Sequence, residues 1–226
     1  PGKVQGESRP AHPRVFYPQK NHVVTLEGSG IEKMADLRGK RVSIGSPGSG
    51  SEIIARRVLE AYGIDPDKDI VRQRLGVSRG GHAVKDRKID AFIHNAAIPI
   101  PAVVDLGATP GVRIRMIDHA DAVKAMNKKY GPLYSAGKLP IKTYPGQANE
   151  GTTVDVWAVL VTNDRLSERT AYDTVKTLFE KKPDLELVAK DAAHMTFENQ
   201  FSGNSPIPFH PGALKYFAEK GWKPKM

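Results

Sequence analysis

Arg41-Val-Ser-Ile-Gly45, then Ser46-Pro-Gly-Ser-Gly-Ser51, then Glu52-Ile-Ile-Ala-Arg-Arg-Val-Leu-Glu-Ala-Tyr-Gly63 is the stretch on which the reading of this chain turns. The first segment is a short β-branched run, and the second is built of small turn-forming residues. Beyond them Ile54, Val58 and Tyr62 recur at helical spacing, with Ile53 and Leu59 beside them. Ser49-x-x-Glu52 has the form of a capping box, and Gly63 stands where a helix takes a left-handed terminal residue. The segment therefore predicts strand, turn and helix in succession. At such a helix start the free N–H groups and the helix dipole favour an anion, and glycines let it approach the backbone. Ser46, Gly48, Ser49, Gly50 and Ser51 are accordingly the first candidate ligand-binding residues, and the Gly48–Ser51 amides are expected to be free of intrachain partners. No Gly-Lys-Ser/Thr follows at P-loop spacing, and no Gly-x-Ser-x-Gly register makes a nucleophile elbow.

Working outward, strands are predicted at His22–Leu26, Arg41–Gly45, Ile89–His94, Val112–Ile117 and Thr153–Thr162. Helices are predicted at Ser51–Tyr62, around His82–Lys88, at Ile100–Leu106, Ala120–Tyr130 and Ser167–Lys182, and finally between Pro211 and Gly221. Pro1–Arg14 reads as a linker or as the start of a fragment, and Pro132–Gly151 as a long loop. Strands alternating with helices give an α/β fold, with a parallel or mixed sheet flanked by helices.

The composition excludes several classes of function. The 226 residues contain no cysteine, which removes disulfides, thiol nucleophiles and thiolate metal sites. No apolar run approaches the roughly 18–20 residues of a membrane span. The seven histidines (positions 12, 22, 82, 94, 119, 194 and 210) are scattered with no HxxxH or HxH pair, so no metal site is predicted. Of the net charge of +9, residues 31–150 supply most, with 20 basic against 13 acidic groups. There is no Lys/Arg block and no RNP-like aromatic motif, so nucleic acid is not the expected partner. A small anionic solute, or a solvated basic surface, accounts for the charge as well.

Several motifs in order resemble one family. Asp36-Leu-Arg-Gly-Lys-Arg-Val-Ser-Ile-Gly45 runs into Ser46-Pro-Gly-Ser-Gly-Ser-Glu52 and Val58-Leu-Glu-Ala-Tyr-Gly63. Ile89-Asp-Ala-Phe92 with Pro99, Tyr144 in the Pro140–Gly146 loop, and His210-Pro-Gly-Ala213 with Tyr216 and Gly221 follow. Over about residues 15–222 the chain resembles the TAXI-type extracytoplasmic solute-binding proteins of TRAP transporters, which have the type II periplasmic-binding fold.

The resemblance implies two lobes crossed twice. Residues 1–30 would hold a linker and the first crossing strand of lobe 1, residues 31–150 would form lobe 2, and residues 151–226 would return to lobe 1. Asn95 and Tyr144 join the ligand-binding residues, and Gly28, Gly30 and Gly151 are the implied hinges. No cofactor, metal or catalytic residue is implied. The implied partners are a small carboxylate-bearing solute, either a dicarboxylate or an acidic amino acid, and the membrane subunits of a TRAP transporter, in a periplasmic or extracytoplasmic setting. The family's opening strands have no counterpart here. A second chain or a homodimer is therefore expected to complete lobe 1, or else an open lobe would expose Val154, Val156, Ala158 and Leu160 or their opposite-face neighbours. The alternative is an enzyme, a transferase or a biosynthetic one, on the same architecture. It would need an acid/base pair such as His94 with Asp90 or His119.

Overall fold

The computed structural model describes residues 10–200 and 207–222. Two compact units divide it, one of Gln19–Val156 and one of the remaining residues at both ends of the chain.

The strands are β1 (Pro10–Leu26), β2 (Arg41–Ser43), β3 (Val71–Gln73), β4 (Ala91–Ala96), β5 (Ile114–Met116), β6 (Tyr134–Leu139) and β7 (Gly151–Asn163). Their order is β3-β2-β4-β1-β7-β6, with β5 also paired to β1. β2 runs parallel to β3 and β4, while β1 is antiparallel to β4 and β5, and β6 to β7. The sheet is thus mixed, and helices flank it, as the alternation of elements predicts. Along the β1–β4 ladder Val23 faces Ile93 and Val24 faces Phe92. Alternation sends these two pairs to opposite faces. Val23 and Ile93 pack with Ile54, Val58 and Leu59 of α1 (Gly50–Ala61) and Met126 of α4 (Ala122–Tyr130). Val24 and Phe92 pack with Val84 of α2 (Val77–Lys85) and with Val103 and Leu106 of α3 (Pro101–Ala108). Each such side chain stabilises the unit by about 1.5–3 kcal/mol through burial.

α1 forms as its sequence dictates. Ser49 caps it by accepting from the Glu52 N–H. At its other end Gly63, at φ 67°, donates to the Glu60 carbonyl, and Ile64 donates to that of Leu59. That is the Schellman pattern a C′ glycine makes possible.

Several elements differ from the sequence reading. β1 starts at Pro10 rather than His22, and its ladder to β4 and β5 runs over Lys20–Leu26, past the prolines that suggested a linker; residues 1–9 of that stretch lie outside the described residues. β3 falls where no element was predicted, and β6 lies within the stretch read as a loop. β6 carries Gly137, where a Cβ would stand 2.1 Å from the Asp155 carboxylate, so the residue that weakens its strand signal is demanded by its neighbour. α2 begins five residues earlier than expected, at Val77, and α3 runs through Gly107. The chain passes between units at residues 18/19 and 156/157, inside β1 and β7, rather than at 30/31 and 150/151. Gly28, Gly30 and Gly151, read as hinges, therefore lie within the larger unit. Gly28 and Gly30 take left-handed φ in the turn that ends β1, and Gly151 permits close approach, since a Cβ there would meet the Met116 side chain at 2.9 Å.

The smaller unit has α5 (Glu168–Glu180), α6 (Lys182–Val188), α7 (Phe197–Gln200) and α8 (Pro211–Glu219). Val175, Ala213, Tyr216 and Phe217 form its buried cluster, with Tyr172, Phe179, Phe197, Phe209 and Trp222 packed around them. The His210-Pro-Gly-Ala213 motif is explained here. His210 Nδ1 accepts from the Gly212 N–H while Nε2–H donates to the Leu166 carbonyl. A Cβ on Gly212 would stand 2.1 Å from the Glu168 carbonyl oxygen, so only glycine lets α8 start this close to α5. On β7, Val154 is wholly buried, while Val156, Ala158 and Leu160 are half-buried.

Candidate functional site

The turn between β2 and α1 is closed largely by its own residues. Gly45 sits at φ 102°, with the Glu52 N and Ser49 Oγ only 3.1 and 3.2 Å from where a Cβ would be. Ser49 Oγ–H donates to the Ser46 carbonyl at 2.8 Å, and the Ser49 N–H donates to the same carbonyl. The Glu52 carboxylate does not return to the Ser49 amide, as a capping box would have it; it reaches one residue further and accepts the Gly48 N–H at 2.7 Å. Of the four amides expected to be free, Gly48 and Ser49 are therefore engaged, and those of Gly50 and Ser51 make no hydrogen bond to the described residues. The cause is Glu52 itself, a carboxylate on the chain that takes the anion position at the helix start.

Glu52 is 6% exposed and is also held by Arg74, whose Nε lies 3.0 Å from Oε1. Desolvation pulls its pKa up, but the Gly48 N–H and the Arg74 guanidinium outweigh that and hold the carboxyl below the ordinary Glu value. Gly50 is exposed and Ser46 half-buried. Ser51 is buried, its Oγ accepting from the Asn95 N–H at 3.2 Å and donating to the Asn95 carbonyl at 3.4 Å. α1 is thereby fastened to the end of β4.

Asn95 faces Asn21 across the β1–β4 ladder. Its Nδ2–H donates to Gln19 Oε1 at 2.7 Å, whereas Oδ1 is buried without a hydrogen-bond partner among the described residues. Asn21 is wholly buried, and neither its Oδ1 nor its Nδ2 has one. Buried amides left open in this way are rare, because desolvating them without compensation costs about 1–3 kcal/mol each. At the same end of the sheet Lys20 Nζ meets Asp155 Oδ2 at 2.8 Å, and Thr153 Oγ1–H donates to Asp155 Oδ1 at 2.6 Å.

Tyr144 lies elsewhere. It is buried among the side chains on the α2–α3 face, its hydroxyl 2.9 Å from His22 Nε2 and accepting the Ile100 N–H at 3.1 Å. Of the acid/base pairs an enzyme would need, His94 with Asp90 is not brought together. Asp90 sits at the opposite end of β4 from His94, chelated by the Arg41 guanidinium. His119 is buried with Nδ1 against the Ile117 carbonyl, and Asp118 holds the Thr152 N–H and hydroxyl. Among the described residues no group of three or more His, Asp or Glu could hold a metal ion. No described helix is long and apolar enough to cross a membrane.

Sequence reasoning missed Asn21, Lys20, Arg74 and Asp155, and took Glu52 for a cap alone. Asn21 carried one usable signal, an amide leading into a β-branched strand, where such residues are depleted.

Residues 14–221 match the sequence profile of the NMT1-like family. The chain belongs to the NMT1-like family. Among solved structures this NMT1-like chain is similar to the periplasmic aliphatic sulphonate binding protein SsuA from Escherichia coli, at 14% identity over 96% of this chain and 70% of that one, with a TM-score of 0.43. It is similar to the GluR0 ligand-binding core from Nostoc punctiforme in complex with L-glutamate, at 13% identity over 82% and 62% of the two chains, with a TM-score of 0.42. A third is the probable amino-acid ABC transporter extracellular-binding protein YtmK from Bacillus subtilis, at 16% identity over 83% and 61%, with a TM-score of 0.42. The NMT1-like chain thus spans between 61% and 70% of the length of these three.

Proposed function

We propose that the chain is a solute-binding receptor that serves a TRAP transporter outside the cytoplasm, as the TAXI resemblance implies, and that it takes a small carboxylate-bearing solute. The observation that supports this is the set of open polar groups at one end of the larger unit's sheet: Asn21 Oδ1 and Nδ2, Asn95 Oδ1, and the Gly50 and Ser51 N–H groups. A solute carboxylate would accept from the two amides and from Asn21 Nδ2. The Glu52 carboxylate and Asn95 Oδ1 are acceptors close by, so a solute with its own N–H donors complements the site better than a bare dicarboxylate. Of the two solutes considered, this favours the acidic amino acid. The membrane subunits of the transporter are the proposed partners.

Calorimetric titration against a panel of amino acids and organic acids tests the reading, with Gly50→Ala and Asn95→Ala as variants. Gly50 has open space around a Cβ, so alanine there adds helix propensity without a clash and stabilises α1 by about 0.4–1 kcal/mol. The expected result is an acidic amino acid that binds the wild type, binds Gly50→Ala more weakly, and loses about tenfold in Asn95→Ala. A panel in which no member binds, or variants that bind as well as the wild type, would overturn the proposal.

A further inference from the structure

A pocket of about 380 Å³ opens at the other end of the larger unit's sheet, where the turn after β1, the start of β2, the end of α2 and the loop before β5 meet. Asp90 and Asn95 stand five residues apart along β4, so the two places are roughly 17 Å apart. The pocket has apolar walls in Val84 and Ile89, both buried, and in Leu26 and Val112, both half-buried. Four basic residues, Arg41, Lys85, Arg87 and Arg113, surround them together with Glu27 and Asp90. Two of the four are committed: Arg41 chelates Asp90 at 2.7 Å, and Arg113 pairs with Glu27 at 2.7 Å. Lys85 and Arg87 make no ion pair among the described residues.

Arg87 carries a second, independent signal. It occupies the C′ position of α2, donating to the Val84 carbonyl at 3.0 Å while Lys88 donates to that of Ala83 at 2.8 Å. Its φ is 56°, in the left-handed region. α1 ends in the same hydrogen-bond pattern, with Gly63 at the equivalent place. Glycine is the residue folding alone would select there, and a side chain kept at such a φ is a strain that points to a use for the side chain.

We propose that this pocket is a second binding site, for a small organic carboxylate with an apolar body. The body covers Leu26, Val84, Ile89 and Val112, and the carboxylate lies between Lys85 and Arg87. The volume falls within the range of small-molecule sites, and a guanidinium beside an ammonium offers a charge-assisted grip on one carboxylate.

Titration of the full chain with benzoate, and with uncharged benzamide as its analogue, tests the site. Benzoate is expected to bind at least tenfold more tightly than benzamide and to weaken with added salt. Lys85→Ala is expected to cost about tenfold. Arg87→Gly is expected to cost about as much while raising the melting temperature by roughly 1–4 °C, because it relieves the backbone. Asn95→Ala is expected to leave benzoate binding unchanged, which keeps this test separate from that of the solute site. Benzoate binding weaker than about 10 mM would overturn the proposal. So would wild-type affinity in both Lys85→Ala and Arg87→Gly, or benzoate affinity that falls with Asn95→Ala.

Discussion

Acidification from pH 7 to pH 5 is a perturbation whose cost follows from one side chain. His22 is 1% exposed. Its Nδ1–H donates to the Lys20 carbonyl at 2.9 Å, and Nε2 stands 2.9 Å from the Tyr144 hydroxyl, from which it accepts. Both ring nitrogens are satisfied in the neutral form, leaving no place for a second proton. Burial pushes the pKa from 6.5 down to about 3; the Lys20 carbonyl opposes this, and His119, His94 and Lys20 add to the lowering by charge. The unfolded chain takes up a proton on this ring as pH falls below 6.5, and the folded chain does not until pH nears 3. Stability is therefore retained above the unfolded value and lost on acidification through that window. Between pH 7 and pH 5 the difference amounts to about 2 kcal/mol for His22 alone. His94 and His119 are also lowered, chiefly by burial, and add in the same direction. Urea unfolding followed by tryptophan fluorescence at pH 7, 6 and 5 measures this, and His22→Gln isolates the contribution of the one ring. If the wild type and His22→Gln lost stability in parallel as pH fell, the locked neutral tautomer would be refuted.

Glu52→Gln keeps the shape at the start of α1 but removes the charge that holds the Gly48 N–H and Arg74. A loss of about 1–2 kcal/mol in urea at pH 7 is expected, and a flatter stability profile below about pH 4.5, since a carboxylate with a lowered pKa stabilises above that pH and ceases to as it protonates; an unchanged midpoint would show that the turn does not need its internal anion. Tyr144→Phe strips a partner from both His22 Nε2 and the Ile100 N–H in a buried setting, and should cost about 2–4 kcal/mol while leaving solute affinity alone. A Tyr144→Phe protein of full stability with reduced solute affinity would return Tyr144 to the binding site.

The elements legible in the sequence are those whose local signals agree with their tertiary setting. α1 is the clearest, with an apolar stripe, a serine cap and a C′ glycine all pointing the same way, and it forms within one residue of its expected bounds. β6 is the opposite case. Tyr134-Ser-Ala-Gly-Lys-Leu139 offers no β-branched residue and one glycine, because its central position must clear the Asp155 carboxylate of the neighbouring strand. A requirement of that kind belongs to a partner 18 residues away and has no local signature. β1 was hidden by its prolines, which count against a central strand.

The turn ahead of α1 shows where sequence logic stops. Spacing established a helix start with small residues before it, and so it counted four candidate donors. It could not establish what fills them. Glu52 at a register of three from Ser49 reads as a capping partner, yet at that place its carboxylate is also long enough to reach Gly48, and Gly48 at φ 73° turns its N–H toward it. Arg74, 22 residues on, then makes a buried charge tolerable. The result is a turn with two donors rather than four and with a fixed negative charge beside them. A ligand meeting it needs hydrogen-bond donors as well as a carboxylate, and the open Oδ1 atoms of Asn21 and Asn95 ask for the same thing. The sequence pointed to an anion site; the atoms ask for a ligand that carries both signs.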